Sequence, residues 1–368
     1  MKRIISNMLV VFLAFFSQLT LAQTTSVPNI EEIYINPEFG KDTNLGTREN
    51  PLATISQAAK MVNETEGEGS ITIYLSAGFY GMSETADFNA QKWKFSATNR
   101  LTIRAEILPD EQKWSPAEMP ILISIMPFVV EKNDKGETIG AQNFGLMFQN
   151  SHVTIQGIRI LGQPVHENPS EGVVIRNYPI IWEGKDLEDL RVTQCLFIGS
   201  RNAVPNHLGI LANGKTLEVD HCVFYGVKDA VVMWNSPATN SSFHHNLIVD
   251  SYGGAIWTWS TSSDFKFFNN AISNSNVVWI LEKEEKESFT IDNSIIVGYN
   301  SLVNKGGGAQ GFGEKGNEEK LKFSQDVILK KDGKLEIIED QTNRNFLHIK
   351  PGTLGSNLGA GLFTKEIK

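Results

Sequence analysis

The side chains most able to do chemistry gather between Ser241 and Asp264, SSFHHNLIVDSYGGAIWTWSTSSD, where His244 and His245 precede Asp250, Tyr252, Trp257 and Trp259. Upstream, GSRNAVPNHL supplies Arg201 and His207, and GVKDA supplies Lys228 and Asp229. Two imidazoles and a carboxylate could hold a metal, but no third protein ligand follows from the spacing. Two organic mechanisms use the remaining groups. β-Elimination from a uronic acid needs a base, here Tyr252 or His207, and cations such as Arg201, Lys228 and Lys283 to neutralise the enolate-like charge. Glycoside hydrolysis needs two carboxyl groups about 5–5.5 Å or 6.5–9.5 Å apart, and Asp229 and Asp250 fall in comparable loops.

What positions these groups is a repeat. Four blocks begin at Leu217, Ser241, Phe265 and Phe289, each 24 residues after the last. The block from Leu190 fits with three additional residues around Pro205, and Val153 to Ile160 repeats the opening once more. Each block holds three short alternating runs separated by turn residues, the pattern of half-buried strands rather than of helices. Its sixth position reads Cys195, Cys222, Asn246, Asn270, Ser294, a column of small groups at a bend. If each block is one coil of a parallel solenoid, equivalent side chains stack about 4.8 Å apart. His245 then lies on His221, and His244 lies on Asp220 within ion-pair reach. The histidines read as one rung of a ladder more than as a site. Cys195 and Cys222 share an inward column; a disulfide is conceivable, but parallel neighbours aim their Cβ vectors alike, so stacked thiols are expected.

On the third strand, Ile210, Val232, Ile256 and Ile280 share a column and are expected to point inward. Alternation sends Leu211, Met233, Trp257 and Leu281 outward. Two places on lies a stripe of Asn213, Asn235, Trp259 and Lys283, with Arg176 extending it by one coil. Aromatic faces, amides and cations in one stripe suit a carbohydrate. The competing expectation is that Trp257 and Trp259 lie beneath a long loop. The glycine-rich NKGGGAQGFGEKGN lacks a phosphate-binding pattern and reads as a flexible loop or lid.

The 24-residue coil with its x-Asn bend resembles the right-handed parallel β-helix of the pectate-lyase-like superfamily. YINPEFGKDTNLGTRENPLATISQAAKMV resembles the N-terminal signature of secreted β-helix proteins, and LHIKPGTLGSNLGAGLF their closing segment. The expected architecture is all-β: one domain over 23–368, with a helical cap near 54–63, regular coils over about 153–308 and a closing segment at about 345–363. Thr54 and Gln57 fit a capping box. The resemblance implies a substrate cleft on the outer face of the third strand, bordered by the loops before it. It also carries departures. Where such lyases place an arginine after the His-His-Asn strand, this chain has VDSYGG; where they place calcium-binding carboxylates, it has LANGKT. Calcium is possible but unsupported, and no cofactor is required.

Residues 1–22, MKRIISNMLVVFLAFFSQLTLA, combine a basic start, a short apolar run and a small residue at Ala22, the pattern of a cleaved bacterial export signal. Its removal lowers Lys plus Arg from 33 to 31 against 42 acidic residues, and the formal charge from -9 to -11. That charge argues against nucleic acid and against insertion into anionic membranes. The expectation is a secreted or periplasmic monomer acting on a polysaccharide or oligosaccharide, as a lyase ahead of a hydrolase. The competing class is a non-catalytic glycan binder.

Overall fold

The computed structural model describes residues 31–164, 173–234, 239–258, 264–286, 288–308 and 311–362. Residues 1–22, where an export signal is expected, lie outside them. Ten parallel strands, from Glu32–Ile35 to Leu321–Phe323, form the first face of a parallel β-helix. Residues at the same phase of successive coils are hydrogen-bonded neighbours, as in Leu101, Val153, Leu190 and Leu217. The second face stacks Leu196, Val223, Leu247, Ala271 and Ile295. The third stacks Ile180, Ile210, Val231, Ile256, Trp279 and Val303. In the strand Ala271–Leu281 the second and third faces run together without a break.

The core follows from this stacking. Inward positions on each coil are apolar, and like lies on like: Phe197 and Phe224 stack at 4.6 Å, Phe243 and Phe267 at 5.7 Å. Each buried phenylalanine contributes on the order of 1.5–3 kcal/mol through removal from water.

The bend between first and second strands is built from two columns. Gln194, His221, His245, Asn269 and Asn293 adopt left-handed backbone angles, with φ of 54°, 50°, 55°, 56° and 32°. That conformation costs a non-glycine residue about 1–2 kcal/mol. The next column offsets it with a buried ladder. Asn246 Oδ1 accepts from the Cys222 N–H at 3.0 Å, Asn270 Oδ1 from the Asn246 N–H at 2.9 Å, and each amide donates back across the bend. His221 and His245 are therefore bend residues whose rings stack at 4.8 Å. The expected Asp220–His244 ion pair is not made. Although burial alone would raise it, Asp220 is brought down to about 2 by hydrogen bonds from His221 and Arg191. His244 instead faces Glu218 at 3.2 Å. Cys195 and Cys222 are free, buried thiols.

Helix Ile55–Glu64 starts where the Thr54 hydroxyl accepts from the Gln57 N–H at 3.1 Å. Its apolar side, Ile55, Ala58, Ala59 and Val62, joins the core of the first coils. The tail lies along the side of the solenoid: Leu347, Ile349 and Leu362 cover the outward column Val223, Leu247 and Ala271 of the second face. Residues 129–142 form an antiparallel hairpin, which carries Glu131 to Arg176 on the third face, and the chain continues from it into the coil strand that ends at Phe148.

Candidate active site

Cavity geometry on the third face depends on a compensated shift. Val231 pairs with Ile256, 25 residues on, and Ile256 with Trp279, 23 residues on. The turn VDSYGG has one residue more than its neighbours, and the return to the first strand has one fewer. The period stays 24 while the third strand slides by one. A slide of one residue exchanges the two sides of a strand. Val232 and Ile280, expected inward, therefore point outward with Leu211 and Trp257, whereas Met233 and Leu281, expected outward, join the core. The column beyond Asn213 likewise continues into Trp234, whose backbone N–H donates to the Ala212 carbonyl at 3.1 Å. Arg176 precedes Ile180 in strand Val174–Trp182, so it reaches the site from the start of that strand and not as part of Asn213's column.

The outward surface forms a cavity of about 240 Å³. Leu211, Val232 and Trp257 floor it, Tyr178 and Trp234 stand beside it, and Gly308 reaches it from the glycine-rich loop. Its polar lining is Arg176, Asn213, Lys228 and Asp229. Trp257 is 4 % exposed: it lines the cavity and is also covered by the loop, where a Cβ on Gly307 would lie 2.8 Å from the indole.

Asp229 is in register with Leu208, on a surface otherwise made of Tyr178, Leu208 and Val277. Burial in this apolar setting raises its carboxyl to about 6, against the opposing effects of Lys228, the Gly254 N–H and the Trp257 indole. Oδ1 accepts from Gly254 at 2.7 Å and from Trp257 Nε1 at 3.1 Å, while Lys228 Nζ stands 3.9 Å from Oδ2. Gly254 permits this approach, since a Cβ there would lie 2.6 Å from Trp257 Nε1. Arg176 is held by Glu131 of the hairpin, and Asn213 Nδ2 donates to Glu183 at 2.6 Å.

A second, more polar cavity of about 640 Å³ opens where the second strands turn into the third. Arg201, Asp250 and Tyr252 line it, with Asn276, Tyr299 and Asn300. Asp229 and Asp250, expected as a catalytic pair, thus open onto different cavities, and Asp250 accepts from Asn274 at 2.6 Å. Burial, then the charge of Asp229, push the Tyr252 phenol well above its ordinary value. His207 borders the first cavity's cations, and its ring is held by Asn177 at 2.8 Å. Burial, with Lys228 and Arg176 nearby, lowers it to about 3. Lys283 is exposed and lines neither cavity. Asn235 and Trp259 lie outside the described residues.

The sequence reading missed Tyr178, Trp234 and Phe312. The first two follow from correct register; Phe312, which stacks beneath Lys228 at 5.5 Å, arrives from a distant loop. Among the described residues no group of three or more His, Cys, Asp or Glu is arranged to hold a metal ion.

No family model and no curated protein matches this chain in sequence. Among solved structures it is similar to a complex of XylC with xylose (11% identity, TM-score 0.40, 74% of this chain and 66% of that one). It is also similar to a rhamnogalacturonan lyase (14%, TM-score 0.39, 90% and 99%) and to the GH136 lacto-N-biosidase of Eubacterium ramulus (9%, TM-score 0.37, 75% and 55%). The chain thus spans less than two thirds of the XylC chain and about half of the lacto-N-biosidase chain. The parallel β-helix assignment rests on the coil register itself.

Proposed function

We propose that this protein is an exported enzyme that cleaves an acidic polysaccharide by β-elimination, with the reacting uronate in the cavity beside Trp257. One observation carries the reading: Asp229, raised to about 6, is the one carboxyl group among the described residues that lines a cavity also bearing Arg176 and Lys228. A base works best with a pKa near the working pH, and burial has moved Asp229 there. In this reading Arg176 and Lys228, both lining the cavity, pair with the uronate carboxylate and stabilise the charge that spreads onto it as the α-proton leaves. In its ionised form Asp229 takes the C5 proton, the C4–O bond breaks, and a C4=C5 double bond forms. The departing oxygen takes its proton from solvent, and no water is consumed. Trp257 and Trp234 offer faces for the apolar side of the sugar ring. Tyr252 remains a protonated phenol and His207 a weakly basic imidazole, so neither serves as base.

Hydrolysis by an Asp229–Asp250 pair has less support, because the two carboxyls serve separate cavities. The test is incubation of the full chain with polygalacturonate, alginate and glucuronoxylan. Ultraviolet absorbance from unsaturated uronate supports elimination. New reducing ends without absorbance replace it with hydrolysis, and binding without any product leaves a glycan-binding protein.

A further inference from the structure

The second cavity is joined to the first through one turn of chain. Tyr252 N–H donates to the Val227 carbonyl at 3.1 Å, and the Ser251 hydroxyl donates to the Lys228 carbonyl at 2.8 Å. The turn bearing Tyr252 therefore rests directly on the turn bearing Lys228 and Asp229. Phe312 links them from above: it lines the second cavity while Lys228 stacks on its ring.

The chemistry of the two cavities differs. The first sets two cations against one carboxyl on a mostly apolar surface. The second is polar: Asn300 Nδ2 donates to Asn276 Oδ1 at 3.0 Å, and Arg201 lies over the Tyr252 ring at 5.7 Å. The Tyr252 hydroxyl is buried at its wall and has no hydrogen-bond partner among the described residues. Such a group in a native structure calls for a partner, and a ligand hydroxyl supplies one.

We infer that the second cavity is a sugar subsite, which holds the hydroxyl-rich unit next to the uronate bound beside Trp257 through Tyr252, Asn276 and Asn300. It rests on the reading of the first cavity as a uronate site. The protein then recognises at least two linked units, and affinity grows with chain length because the second unit's binding adds to the first's.

The test is calorimetric binding of uronic-acid monomers, dimers and trimers from polygalacturonate and from alginate to the full chain. It is paired with neutral xylo-oligosaccharides of the same lengths. In the wild type, affinity for one of the acidic series rises roughly tenfold from monomer to trimer. In Tyr252→Phe, and more so in Asn276→Ala/Asn300→Ala, that ratio collapses. Tyr252→Phe also melts no lower than wild type, since the hydroxyl it removes has no hydrogen-bond partner among the described residues. A length dependence that survives in both variants overturns the subsite, as does a wild type that binds all lengths equally or binds nothing. Neutral oligosaccharides that bind, and lose affinity in the variants, while no acidic sugar binds, uphold the second cavity and sink the uronate reading of the first.

Discussion

The indole N–H of Trp257 and the backbone N–H of Gly254 converge on one oxygen of Asp229, at 3.1 and 2.7 Å, from the following coil. The pair couples the aromatic floor to the one carboxyl group that lines the cavity among the described residues. Asp229→Asn keeps an acceptor for both donors but removes the base. Its kcat/KM against an unsaturating substrate should fall by about 10²–10⁴. In the wild type, activity should rise with pH through about 6, as Asp229 ionises. An Asn variant with near-normal activity, or a flat profile around pH 6, would sink the assignment.

Asp229 has the opposite effect on stability. Folding raises it from 3.8 to about 6, so its contribution is fully present below about 4 and is lost as pH rises through 6. At pH 8 it opposes folding by at most roughly 3 kcal/mol. Asp229→Asn should therefore melt at or above the wild-type temperature at pH 8, and lose that advantage at pH 4. Thermal denaturation at the two pH values checks this; a variant melting well below wild type at both contradicts it.

His245 acts in the other direction. Burial, with His221 and His244 adjacent, lowers it to about 4, and His207 falls to about 3. Both bind protons more readily unfolded than folded, so the stability they permit is present above 6.5 and declines as pH falls towards those values. Two such groups outweigh Asp229 in this window, and the melting temperature should drop between pH 6.5 and 4. His245→Asn, with an amide at a bend where Asn269 and Asn293 already adopt the left-handed conformation, should show a shallower drop. An unchanged slope would remove His245 from the acid response.

Asn246 tests the ladder. Its side chain satisfies the Cys222 N–H and the Val219 carbonyl, both buried. Asn246→Ala orphans two groups at about 1–3 kcal/mol each. Urea denaturation should show a loss of roughly 2–5 kcal/mol, and less than 1 kcal/mol would mean that water replaces the amide.

Arg176 and Lys228 separate binding from scaffold. Arg176→Ala should lower kcat/KM tenfold to a hundredfold, in line with loss of a charged hydrogen bond of about 1.5–3 kcal/mol. Wild-type affinity for acidic glycan should weaken with added salt, and the Arg176 variant should weaken less steeply. Equal salt slopes would count against a carboxylate at this position.

The sequence by itself determined the coil. Its 24-residue period, the bend column ending in Asn and the inward apolar pattern are properties of neighbours in the chain, and stacking only repeats them. The same logic made His244 and His245 readable as a rung. It also failed where a constant period hides two cancelling changes: the extra residue before Gly254 and the missing one after it left the period untouched but turned Met233 and Leu281 inward. Tertiary structure alone decided the site. Glu131 reaches Arg176 from a hairpin, Gly308 and Phe312 fold back from a later loop, and Asp229 and Asp250 part into two cavities. The raised pKa of Asp229 belongs to the same category. A carboxyl's affinity for protons depends on what surrounds it in space, and around Asp229 stand Leu208 from the coil before it and Gly254 and Trp257 from the coil after it.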